Sequence, residues 1–215
     1  MKNFNTYISE KLKITKNTLS KQYNNNGHEF VDLGLPSGTL WAKCNIGAEK
    51  EINYGVCFAW GETKSKKEFK WDTYFDLTID DTFEKYNNDG GLTELELKDD
   101  AARINMGGDW CIPTKEQVKE LLDNTTNEWV TNYNNTGKNG RLLTSKRNNN
   151  TIFFPAAGYD YVQTINKSGR YWTKTLAANN VESVYGVNLF FDKTYLTLSN
   201  YNRYNGFHIR GVLNT

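Results

Sequence analysis

The chain reads as an α+β domain, and three observations point there. Short apolar runs bounded by Gly, Pro and Asn occupy both ends of the sequence. Two helix signals stand together in the middle. No internal repeat or alternating strand–helix array is present, which argues against a parallel βαβ sheet. With 215 residues, 38% of them hydrophobic and 14% aromatic, such a domain can fill a core without disulfides. A net charge of +1 gives no basic face for nucleic acid, and no apolar run approaches a membrane span.

Taken in order, residues 1–27 differ from 28–215. In the first segment Phe4, Ile8 and Leu12 fall four apart with Tyr7 beside them, a stripe that predicts a short helix. Through residue 21 it carries five lysines against one glutamate. So short a helix needs a surface to lie on, either its own domain or another chain, and "TLSKQYNNNG" follows as a linker. From His28 onward the pattern becomes strand and turn: "EFVDLGLPSGTLWAKCNIGA" predicts two strands about a Pro-Ser-Gly turn, and "YGVCFAW" predicts a third. Residues 61–92, charged and closed by "NNDGG", read as a surface excursion. "KDDAARINM" opens with aspartates suited to a helix cap. "PTKEQVKELLDN" carries a capping box from Thr114 to Gln117 and an apolar face of Val118, Leu121 and Leu122. "GRLLTSK", "TIFFPAAGY", "SVYGVNLFF", "TYLTLS" and "GFHIRGV" then predict strands. The 28 asparagines imply a loop-rich domain, because Asn tolerates left-handed backbone.

Five motifs in this order, "FVDLGLPSGTLWAKCNIGA", "YGVCFAWGET", "DDAARINMGGDWCIPTKEQVKELL", "SKRNNNTIFFPAAGY" and "GFHIRGV", resemble the Fibrobacter succinogenes major paralogous domain family. That family is abundant in gut Bacteroidota and their phages. Through it the chain is similar to the C-type lectin-like superfamily, which also holds formylglycine-generating enzymes and phage variable receptor-binding proteins. The resemblance covers residues 28–215. It implies a C-type lectin-like fold: twisted antiparallel sheets, two helices, neighbouring termini, and long loops that build a binding face. Cys111 stands where relatives usually have Arg, and Gly211 where many have Pro.

Catalytic chemistry finds little support. Cys44, Cys57 and Cys111 are widely spaced and read as small buried residues rather than as a copper or zinc site. His28 and His208 are the only imidazoles, and no GxSxG element accompanies them. His208 reads as a strand residue facing solvent or an aromatic ring. The acidic pairs Asp80-Asp81 and Asp99-Asp100 lack the alternating spacing of a calcium loop. No cofactor, metal or catalytic residue is expected. Trp41, Trp60 and Trp110 read as core, Trp71 and Trp129 as cover or contact, and Trp172 as core or site.

The stretch "SNYNRYNGFHIRGV" crowds Tyr, Asn and Arg before an apolar run. Tyr offers large contact area at low entropy cost and Asn offers adaptable hydrogen bonds, so "NYNRYN" reads as an exposed recognition loop. In phage proteins of the resembling superfamily the diversified ligand-binding positions lie in the corresponding region. The expected ligand site is Tyr201, Asn202, Arg203 and Tyr204, helped by Tyr159, Tyr161, Tyr171 and Trp172. The expected partner-binding residues are Phe4, Tyr7, Ile8 and Leu12. Together these lead us to expect a non-enzymatic phage virion protein, a head or tail decoration or fibre component, made in a host cytoplasm and released by lysis. Its partners would be other virion proteins, further copies of itself and host polysaccharide, with neither nucleic acid nor membrane. The alternatives are a purely structural virion assembly protein and an exported bacterial adhesin.

Overall fold

A computed structural model of the protein describes residues 24–76, 82–83, 85–87, 91–160, 163–177 and 183–214. The N-terminal stripe of Phe4, Tyr7, Ile8 and Leu12 lies outside the described residues, and so does Tyr161. The architecture is α+β, with two α-helices and three small antiparallel sheets among the described residues. No described helix is long and apolar enough to cross a membrane.

The first sheet has the order β1-β2-β3-β10, from β1 (Asn24–Asn25), β2 (His28–Asp32), β3 (Leu40–Ala42) and β10 (Val212–Leu213). The first and last described strands therefore share one sheet. Helix α1 (Ala101–Met106) starts at Asp100, whose carboxylate accepts from the Ala102 and Arg103 amides and also from Ile112 N at 2.9 Å. Helix α2 (Lys115–Asn124) is held by the expected capping box between Thr114 and Gln117. The second sheet comprises β4 (Thr125–Val130), β5 (Gly140–Ser145) and β6 (Thr151–Pro155). The third comprises β7 (Ser168–Leu176), β8 (Tyr185–Asp192) and β9 (Leu196–Asn202). Of the nine described non-glycine residues at positive φ, six are asparagine: Asn26, Asn132, Asn134, Asn135, Asn149 and Asn166. The asparagine content thus serves the turns.

Strand β7 is the wall between two cores. Alternation sends Trp172 into a cluster with Trp60, Trp110, Phe207 and Ile209, and sends Tyr171 into one with Trp41, Leu121, Phe154 and Phe191. Trp172 Nε1 donates to Phe58 O at 2.9 Å, and Tyr171 Oη donates to Pro155 O at 2.8 Å, so both polar tips are satisfied inside.

Two expected strands are not ladder strands, apart from Val212, which closes the second of them in β10. "YGVCFAW" and "GFHIRGV" meet each other through one bridge, Phe58 to Phe207. Beyond it, Trp60 N bonds Arg203 O and Trp172 N bonds His208 O, so pairing passes from partner to partner. Both runs thread the interior, where packing on every side replaces a sheet. The excursion over 61–92 is not purely surface either, because Tyr74, Phe83 and Tyr86 are buried in it.

Gly186 on β8 shows how tightly the first core is filled. A Cβ there would sit 2.7 Å from Trp60 and 3.1 Å from Trp172, both buried. Gly186→Ala is expected to cost about 1–3 kcal/mol by overpacking. Urea unfolding of the variant beside the parent reads this directly, and unchanged stability would show the two tryptophans to be loosely held.

Candidate functional site

The third sheet turns one face to the second core through Tyr171, Leu189 and Phe191. Its other face carries Trp172 and Gly186 inward at one end and a half-open aromatic patch at the other. Register sets Arg170 of β7 opposite Phe190 of β8, and Phe190 opposite Thr197 of β9, with Tyr201 further along β9 on the same side. The Arg170 guanidinium lies 4.4 Å from the Phe190 ring centroid and 4.3 Å from that of Tyr201. Phe207 and Tyr159 stand further off, at 5.5 and 5.9 Å. Contacts of this kind contribute about 0.5–2 kcal/mol each, depending on how dry they are. Arg170 Nη1 also donates to Asn188 Oδ1 at 3.3 Å, and Asn188 is itself fixed by donating to Ser199 O at 2.9 Å.

Tyr159 arrives from the loop after β6. Gly158 precedes it at φ +70°, where an added Cβ would fall 2.0 Å from Gln163 O, so this turn requires glycine. The neighbouring Asp160 accepts from Gly206 N at 2.6 Å and from Asn205 Nδ2 at 3.2 Å, which ties the loop to the C-terminal turn. The Tyr159 ring thereby rests 6.2 Å from Tyr201 and 6.0 Å from Phe207. Burial pulls the Arg170 guanidinium below its usual value, with Tyr201 and Tyr159 opposing, and it pushes the Tyr201 phenol up.

Of the expected ligand residues, Tyr159 and Tyr201 meet on this face, and Asn202 at the end of β9 is half-exposed. Tyr161 lies outside the described residues, and Arg203, Tyr171 and Trp172 are corrected. Arg203 is fully buried. Its Nη1 pairs with Asp76 Oδ2 at 3.1 Å, its Nη2 donates to Tyr86 O, and it covers the Phe83 ring at 4.1 Å. It pins the 61–92 excursion to the domain and offers nothing to a ligand. Tyr171 and Trp172 are 3% and 1% exposed and belong to the two cores. Tyr204 is half-buried 4.7 Å from the Trp71 ring, on the Arg203 side. "NYNRYN" is therefore one turn that alternates outward and inward, not an exposed loop. Arg170 and Phe190 were missed, since nothing in "SGRY" or "NLFF" shows that register will stack them.

Two competing sites were weighed. Cys57 Sγ and His208 Nε2 approach to 3.5 Å, a pairing not expected from sequence, but the residues are 0% and 1% exposed. His208 does not face solvent: it lies between Tyr171 and the buried segment, and burial pushes its pKa down to about 4, with Arg210 adding to the shift. A cavity of about 720 Å³ elsewhere is lined by Glu29, Lys43, Glu49, Lys50 and Glu51. In it Lys43 is paired with Glu29 at 2.6 Å, and Tyr133 Oη donates to Glu51 at 3.2 Å. Arg170 has no such carboxylate partner among the described residues, so the sheet face is the stronger candidate. No set of three His, Cys, Asp or Glu side chains among the described residues is placed to hold a metal ion.

Comparison with protein-family models, with curated proteins and with solved structures finds no match.

The buried imidazole predicts a pH dependence. Unfolded, His208 takes up a proton near its ordinary 6.5; folded, it does so only near 4. Its contribution is fully present above about pH 6.5 and is lost as pH falls toward 4, on the order of 3 kcal/mol in all. Urea unfolding from neutral to acid pH should show a shallower decline for His208→Gln than for the parent. Parallel declines would contradict this.

Proposed function

We propose that the protein is a non-enzymatic binding module with a C-type lectin-like fold, and that it takes saccharide on the Tyr159–Arg170–Tyr201 face. One observation carries this reading. Half-exposed tyrosine rings flank a guanidinium whose position is fixed by Asn188 and Phe190. Tyrosine rings stack on the apolar faces of sugars, while Arg and Asn satisfy hydroxyls. Such sites are weak singly and gain roughly 10²–10⁴ in avidity when displayed in many copies.

As part of the same proposal, supported by the resemblance of its five motifs, the module would sit on a phage particle. The segment with Phe4, Tyr7, Ile8 and Leu12 would join it to other virion proteins, and host polysaccharide would be the ligand. A purely structural role in the particle is the second reading, favoured by Phe75, Leu97 and Ile104, which are 46%, 58% and 55% exposed and could pack on neighbouring subunits. Mass spectrometry of purified particles tests the setting for both.

Attachment to host cells or their purified polysaccharide separates the two. Tyr159→Ala with Tyr201→Ala should weaken attachment at least about tenfold, a loss of some 1.4 kcal/mol. The double variant should stay folded, at a cost of about 1–3 kcal/mol for trimming half-buried rings. Undiminished attachment by a folded double variant would remove the site from this face and favour the structural reading.

A further inference from the structure

The six arginines differ in what holds them, although Nε of Arg103 and of Arg203 also finds no acceptor among the described residues. Arg210 gives Nε to Asn45 Oδ1, Nη1 to the Ala42 and Lys43 carbonyls, and Nη2 to Phe153 O. Arg141 reaches the carbonyls of Asp192, Lys193 and Tyr195 and the amide oxygen of Asn127. Arg203 has Asp76 and Tyr86 O. Arg103 has Gly108 O and Asp109, and Arg147, on the surface, has Gly34 O. Arg170 is half-buried and desolvated, yet its one described hydrogen bond is a long one, from Nη1 to a neutral amide. No described residue accepts from its Nε or Nη2, and no described carboxylate pairs with it. Asp160, next to Tyr159, has its oxygens on Gly206 N and Asn205 Nδ2.

From this contrast we infer that the ligand is an acidic saccharide, a pyranose bearing a carboxylate, with the carboxylate on Arg170. The inference rests on the saccharide-binding reading above and names the class of that ligand. A guanidinium out of water and short of acceptors gains most from a planar anion that takes two parallel N–H bonds, which a carboxylate does and a hydroxyl does not. The rings of Phe190 and Tyr201 hold the guanidinium plane, so little rotamer freedom remains to be lost on binding. Tyr159 and Tyr201 give the apolar ring face a place to lie beside that charge. Half-buried Ser199, on the same side of β9 as Tyr201, adds a hydroxyl to this face.

Calorimetric titration of the full chain with an oligogalacturonate and with its methyl ester tests this, because the two differ only in the charge and its geometry. The acid is expected to bind at least about tenfold more tightly than the ester, and more weakly as salt is raised. Arg170→Gln, checked as folded by circular dichroism, should lose that preference and bind both alike. Arg170→Lys, which keeps the charge without the fork, should recover part of it. Equal binding of acid and ester by the parent, or an unchanged preference in Arg170→Gln, would overturn the inference and leave saccharide binding standing. Silence toward both sugars, while cell attachment still depends on Tyr159 and Tyr201, would overturn the acidic ligand alone. Silence together with tyrosine-independent attachment would take the binding reading with it.

Discussion

The fold depends on the burial of Arg210. A guanidinium 1% exposed must find acceptors for its donors or cost several kcal/mol, and here Asn45, Ala42, Lys43 and Phe153 supply them while Phe154 stacks at 4.6 Å. Those acceptors come from the first sheet, the loop beyond it and β6. A single side chain near the C-terminus thus joins two distant parts of the chain, residues 42–45 and β6, to its own segment. With Arg210 placed, Val212 and Leu213 fall against Trp41 and Leu40, and Phe207 and Ile209 enter the first core. Arg203 does the same for the 61–92 excursion through Asp76 and Tyr86. The C-terminal segment acts as an internal bolt.

That bolt explains where a ligand can be received. Because most of residues 203–213 are buried, this segment offers little surface of its own, and the candidate face lies where the bolt meets the third sheet, at Tyr201 and its neighbours on β7 and β8. Arg170 is left half-open by the fold, and strands rather than a loop hold it. A site on a sheet with its side chains stacked needs little reorganisation to bind, which suits a module whose contacts are few and whose strength comes from repetition.

The legible parts of the sequence were the local ones. The capping box of Thr114 and Gln117 and the cap at Asp100 depend on residues within three positions, and both stand where expected. Trp41, Trp60 and Trp110 are buried as read. Alternation in "GFHIRGV" was also sound: Phe207 and Ile209 do share a side. It could not tell that the opposite side, His208 and Arg210, is equally buried, because alternation marks two faces without saying which meets water. Arg203 misled for a related reason. Its partner Asp76 lies 127 residues away, so a polar neighbourhood in sequence became a charged pair in the interior. Strand β7 escaped notice because "TKT" dilutes its apolar content, and without β7 the stacking of Arg170 on Phe190 and Tyr201 is invisible.

A division of labour among arginines, some holding the fold and one left for a ligand, is the central claim. Urea unfolding of Arg210→Met and Arg170→Met beside the parent tests it most directly. Arg210→Met strands several buried oxygens at about 1–3 kcal/mol each and should lose several kcal/mol, or fail to fold. Arg170→Met keeps its apolar stem between the rings and should lie within about 1 kcal/mol of the parent. Equal and large losses in both variants would contradict the account, because Arg170 would then be one more pin in the fold.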